Sequence, residues 1–221
     1  MDVKEAVEKR ISVRAFLKDE VPESVVRDIL ERALRAPSGG NLQPWRVHVL
    51  TGAPLEALKA RALVVAADGL ETPEYDVYPP NLWEPFRTRR YVCGEDLYAA
   101  IGVPREDRAG RLRQLAKNAE FFGAPVALFF TLERALGPPQ WSDLGMFMQT
   151  IMLLAVDAGL DTCAQEFWAR LPRTVGEALA LPETEMLFSG MALGRRDPDH
   201  PINSLRTRRE RLEDLAVFSG F

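Results

Sequence analysis

Ala36-Pro37-Ser38-Gly39-Gly40-Asn41-Leu42-Gln43-Pro44-Trp45 separates a segment of helical apolar period from an apolar run that reads as a strand. Two glycines let a backbone approach a flat polar ligand closely, and the amides of Asn41 and Gln43 add donors and acceptors. Pro37 turns the preceding residue away from helical geometry, so the helix upstream ends near Ala36. Further upstream, Arg10-Ile11-Ser12-Val13-Arg14 closes a short helix read over Asp2 to Lys9. Alternate residues of an extended segment point the same way, which places Arg10, Ser12 and Arg14 on one face. Two forked guanidiniums and a hydroxyl are a donor set for a phosphate.

Outward from these stretches, Val25, Val26, Ile29, Leu30, Ala33 and Leu34 recur with helical period after Pro22, and Trp45 to Thr51 reads as a strand. Glu71 to Arg90 alternates Pro73, Pro79, Pro80 and Pro85 with Tyr75, Tyr78, Trp83 and Phe86, the pattern of a lid or binding loop. Arg105 to Glu120 reads as a helix, and the nearly continuous apolar run Pro125 to Leu132 as a buried strand. Ser142 or Asp143 is expected to cap a long helix through Asp157. Leu160 to Gln165 and Met186 to Leu193 complete the strands. Arg195 to Phe221 is a charged, turn-rich tail ending in Leu215, Ala216, Val217 and Phe218. That apolar end and the mostly apolar long helix are accounted for either by an interface between subunits or by the core of a monomer.

The 221 residues are 47% hydrophobic and 27% charged with net charge −4, ordinary for a soluble globular chain. The charge gives no reason to expect nucleic acid or an anionic membrane as partner. Cys93 and Cys163 are far apart and are read as reduced thiols, and His48 and His200 are the only histidines, so no metal is expected. With no signal region and no spanning segment, a cytoplasmic location is expected. A Rossmann fingerprint, a Walker A sequence and a G-x-S-x-G elbow are all missing, which disfavours those enzyme classes.

Taken together, Arg10-x-Ser12-x-Arg14, Pro37 to Trp45, Gly159-Leu160-Asp161-Thr162-Cys163 and Gly190-Met191-Ala192-Leu193-Gly194 with its basic tail resemble the FMN-dependent nitroreductase family over nearly the whole chain. The resemblance implies an α+β fold, a central mostly antiparallel sheet between helices, in a domain-swapped homodimer with FMN at the interface. It implies one domain over 1–221, with a lid inserted at about 71–92 and the tail 195–221 extending onto the partner. By position, Arg10 meets the FMN phosphate with Arg206 and Arg209, and Ser12 meets the phosphate or the ribityl chain. Ile11 lies in the same cofactor-binding segment. Arg14 lies near the flavin pyrimidine edge. Pro37, Ser38, Gly39, Asn41 and Gln43 belong to the loop reaching the flavin held mainly by the other subunit. Gln165 and Glu166 lie where the backbone passes the flavin N5, with the N–H of Glu166 as donor, placed to within a residue. Asn118 contacts the flavin or the ribityl chain.

The implied reaction is ping-pong, with NAD(P)H as hydride donor and a nitroarene or quinone as acceptor. Phe121, Phe122, Trp141, Phe167 and Trp168 are candidate walls for that small aromatic substrate. One of Arg87, Arg89 and Arg90, on the loop, is a candidate partner for a substrate carboxylate or the NADPH 2′-phosphate; a solvated patch is the other reading. Dehalogenation, ene reduction or oxygen-dependent flavin chemistry on the same fold, and a non-catalytic FMN-binding dimer, are the competing functions.

Overall fold

The computed structural model describes residues 1–221. In chain order the elements are α1 (Val3–Lys9), α2 (Glu23–Ala33), β1 (Arg46–Thr51), α3 (Gly52–Asp68), α4 (Phe86–Ala100), α5 (Arg108–Ala116), β2 (Val126–Glu133), α6 (Pro138–Asp157), β3 (Asp161–Gln165), α7 (Pro172–Leu179) and β4 (Glu185–Gly194). The four strands form one sheet in the order β1-β2-β4-β3, with every neighbouring pair antiparallel.

β2 is apolar at successive positions because helices cover both faces of the sheet. Ala127 and Phe129 pack with Leu55 and Leu58 of α3, with Trp168 in the turn after β3, and with Val175 of α7. Val126, Leu128, Phe130 and Leu132 pack on the opposite side with Val26 and Ile29 of α2 and Phe147 and Ile151 of α6. Each of the Val, Leu, Ile and Phe side chains among these, fully buried, contributes roughly 1.5–3 kcal/mol before the entropy of ordering it. The layers are therefore helix, antiparallel sheet, helix, as the sequence leads one to expect.

Three local features position the site. Asp2 caps α1 by accepting from the Glu5 amide at 2.8 Å, and the helix ends at Arg10, which is already extended. The next residues run beside edge strand β3: Val13 N donates to Thr162 O at 3.0 Å. Ile11 and Val13 turn into the core, leaving Arg10, Ser12 and Arg14 on the open side. Finally, Asn203 ties the start of the tail to this segment. Its Oδ1 accepts from Arg14 N at 2.9 Å and its Nδ2 donates to Ala15 O at 2.8 Å. The two ends of the polypeptide thereby meet.

Several expectations need correction. The long helix begins at Pro138, not at Ser142 or Asp143. Two prolines suit its first turn, and the Gly137 amide donates to Gln140 Oε1 at 3.2 Å. The helix expected over Arg105 to Glu120 is α5 followed by a 3-10 run, Lys117–Gly123, in which Phe121, Phe122 and Gly123 have φ of 50°, 55° and 86°. Such left-handed backbone ends an α-helix. The lid expected at about 71–92 is irregular only as far as Pro85; from Phe86 it is α4, since no proline follows to interrupt the helix. Arg87, Arg89 and Arg90 consequently stand on a helix rather than a loop. The tail lies along α4, where Arg208 meets Asp96 at 3.1 Å and Arg89 meets Glu210 at 2.8 Å. Beyond it, Leu215, Val217, Phe218 and Phe221 are exposed. No helix is long and apolar enough to cross a membrane.

Candidate functional site

The site begins with a set of unbalanced cations. Arg10, at the end of α1, lies within reach of the charges of Arg209 and Arg206 on the tail. Burial first, then those two neighbours, pull its guanidinium below the ordinary arginine value, and no carboxylate opposes them. Arg206 reaches only the carbonyls of Glu8 and Lys9, at 3.4 and 3.5 Å, and Arg209 only Thr207 and the Arg208 carbonyl. Three like charges gathered at a helix end without a counter-charge attract a multiply charged anion.

Next to it, at the carboxyl end of β3, a cleft of about 480 Å³ is lined by Arg14, Asn118, Ala164, Gln165, Glu166 and Phe167, and on its far side by Tyr78 and Arg90. Arg14 directs one Nη1–H to Ser12 O at 3.1 Å. Gln165 Nε2 donates to Asn118 O at 2.9 Å and Asn118 Oδ1 at 3.2 Å, while its buried Oε1 has no partner. A buried amide oxygen left free costs energy unless a ligand N–H meets it. Cys163 joins the two regions: burial raises its thiol, and Arg14 and Arg10 oppose that from either side. It remains a protonated, buried packing group, as its sequence context implies.

Glu166 turns its carboxylate toward two phenols. Burial, then the Glu166 charge, raises both Tyr75 and Tyr78, and Arg90 pulls Tyr78 the other way. The Tyr75 hydroxyl donates to the Phe188 carbonyl. Phe188 is the extra residue of a bulge, since Phe130 pairs with Ser189 and Thr131 with Leu187, so its carbonyl is left out of the ladder. That bond fastens the 69–85 segment against the sheet.

The structure brings together Arg10, Arg206 and Arg209, and beside them Arg14, Asn118, Gln165 and Glu166. Other candidates lie elsewhere. Ile11 gives its side chain to the core. Pro37, Ser38, Gly39, Asn41 and Gln43 form an exposed loop that is held to α6, away from this cleft in the same chain. Gly40, Asn41 and Gln43 are all left-handed there, with φ of 57°, 56° and 48°. Gln43 spends its amide inside the loop, Nε2 donating to Asn41 O at 3.3 Å. Of the expected walls only Phe167 lines the cleft. Phe121 and Trp168 stack at 4.5 Å in the core, fully buried, and Phe122 is buried beside them. Trp141 packs with Tyr75 and Phe188 instead. Asn203 escaped the sequence reading, and Tyr78 was read only as part of the lid pattern. A buried tail asparagine carries no spacing signal.

This arrangement sets a cluster of cations near a cleft at the edge of a helix-covered antiparallel sheet, with donors of the kind that suit a phosphorylated planar ligand. The chain belongs to the nitroreductase family, whose sequence model matches residues 7–195. It is 38% identical over 220 residues to a 4-nitrobenzoate reductase of Pseudomonas putida, covering 100% of this chain and 96% of that protein. It is 37% identical to a nitrobenzene nitroreductase of Ectopseudomonas oleovorans, covering 98% and 96%. The crystal structure of the FMN and NADPH-dependent nitroreductase NfnB from Sphigopyxis sp. strain HMH superposes with a TM-score of 0.96 at 44% identity, covering 100% of both chains.

Proposed function

We propose that this protein is an FMN-dependent oxidoreductase that uses NAD(P)H to reduce nitroaromatic compounds, acting as a homodimer. The observation that carries the reading is the cluster of Arg10, Arg206 and Arg209, without a counter-charge and related to the Arg14–Gln165 cleft through Cys163, which lines the cleft and feels both Arg10 and Arg14. The residues fit FMN: three guanidiniums suit its dianionic phosphate, and the unpartnered Gln165 Oε1 suits a ring N–H. When bound, the flavin supplies two-electron transfer from NAD(P)H to the nitro group.

The chain's own residues bind and tune. Arg10, Arg206 and Arg209 hold the phosphate, with Ser12 adding a hydroxyl. Charge-assisted bonds of this kind contribute about 1.5–3 kcal/mol each. Arg14 would place a fixed cation near the ring, where it would favour the more negative form. The Glu166 backbone N–H would serve as a donor to the ring nitrogen that accepts hydride. Asn118 holds Gln165 in place by the two bonds described. Phe167 and Tyr78 offer faces on which a flat substrate stacks. The Pro37–Gln43 loop and the apolar end of the tail, uncovered in one chain, belong to the subunit interface. A cytoplasmic setting accords with the two unpaired cysteines.

Anaerobic titration tests this. NADPH should bleach the bound flavin, and 4-nitrobenzoate should restore its colour. Turnover of nitroarenes no faster than with free FMN would overturn the reading.

A further inference from the structure

We infer that Arg90 is a specificity residue that docks the anionic substituent of a molecule entering the cleft. This rests on the reductase reading above and deepens it. Three arginines open α4, but two are already engaged. Arg87 pairs with Glu84 at 2.8 Å, and Arg89 pairs with Glu210 at 2.8 Å and lies 5.7 Å from the Phe86 ring centre. Arg90 has no carboxylate partner. Its guanidinium lies 4.3 Å from the centre of the Tyr78 ring.

The Tyr78 ring covers one side of the guanidinium and its hydroxyl meets one N–H, while the remaining N–H groups face no carboxylate. A planar fork steadied on an aromatic ring is arranged for a carboxylate or phosphate, which it meets with two parallel bonds. Position adds to chemistry. Arg90 lines the cleft that holds Arg14, Gln165 and Phe167, and also a larger outer cleft of about 1240 Å³ beside Trp83 and Tyr91. Tyr78, Arg90 and Leu115 are common to both, so a molecule passing from outer to inner cleft passes this cation. The inner cleft carries the cations Arg14, Arg90 and Arg170 against the carboxylates Asp76 and Glu166, and Glu166 faces the tyrosines. The balance there favours an incoming anion.

Two molecules of the proposed reaction bring the same chemistry: a nitroarene with a ring carboxylate, and NADPH with its 2′-phosphate. Steady-state kinetics on the FMN-loaded enzyme separate them, using 4-nitrobenzoate against nitrobenzene and NADPH against NADH. Arg90→Gln should raise KM for one anionic member by about ten- to a hundredfold, the size of one charge-assisted contact. KM for its neutral or unphosphorylated counterpart should change less than about threefold, and kcat should hold. A loss confined to 4-nitrobenzoate assigns the carboxylate, and a loss confined to NADPH assigns the phosphate. Arg90→Lys, which keeps the charge without the fork, should recover part of the loss. Unchanged KM for all four compounds, or equal loss for charged and neutral members, overturns the inference. A wild-type enzyme that reduces neither nitroarene would instead count against the reductase reading itself.

Discussion

The Gly39 amide donates to Asp143 Oδ2 at 3.2 Å, across 104 positions of sequence. Asp143 is buried within α6, so an ionisable side chain expected at a helix cap instead fastens the left-handed Gly39–Gln43 turn to the helix layer. Asp143→Ala removes that tie. It should cost about 1–2 kcal/mol, the lower range for a hydrogen bond to a charged group because Gly39 can turn to water. Urea unfolding measures the cost, and amide exchange at Gly39 should accelerate while exchange in β2 follows only the global change.

Glu71 caps a helix from a distance. Leu171 supplies no side-chain cap to α7, and the Glu71 carboxylate accepts instead from Arg173 N at 2.8 Å, Thr174 N at 3.2 Å and Thr174 Oγ1 at 2.7 Å. The same bonds anchor the start of the irregular 69–85 segment. Glu71→Ala should destabilise the protein by about 2 kcal/mol, the upper range for a lost cap. Limited proteolysis should then cut faster within residues 71–85, whereas Glu71→Gln should retain part of the protection.

His48 gives a pH dependence of definite sign. Burial, and less strongly the Arg46 charge, lower its imidazole from the ordinary 6.5, with Glu185 opposing. The unfolded chain therefore binds this proton more readily than the folded one. The contribution to stability is full above pH 6.5 and is lost as pH falls below it toward the folded value. His48→Gln should flatten that part of the curve of urea midpoint against pH. A curve that falls equally steeply without the imidazole would assign the loss to other groups.

Local rules made much of the fold legible. The apolar run Pro125 to Leu132 identified the central strand, because a strand covered on both faces cannot alternate. The alternation of Arg10, Ser12 and Arg14 put all three on one face, and the structure shows Ile11 and Val13 on the other, turned into the core. What escaped was decided by distant partners. Nothing local says that Asp143 will reach Gly39, that Asn203 will pin the tail beside Arg14, or that the carbonyl of the bulged Phe188 will wait for Tyr75. Trp168 is a core residue for the same reason. Gly190 leaves space that the indole fills, since a Cβ there would sit 2.5 Å from Trp168 Cδ1. The Pro37–Gln43 loop drew attention through its glycines and amides, but within one chain it lies away from the cleft, and only the proposed homodimer would bring it there.

The central claim is that Arg10, Arg206 and Arg209 form a receptor for a dianionic phosphate. Calorimetric titration of the apoprotein with FMN and with riboflavin, which differ only in that phosphate, tests it most directly. FMN should bind about a hundredfold or more tighter than riboflavin, as expected for several charge-assisted bonds, and the paired substitution Arg10→Gln and Arg206→Gln should remove most of the difference. Equal affinity for the two flavins, or an FMN preference untouched by the paired substitution, would contradict the account.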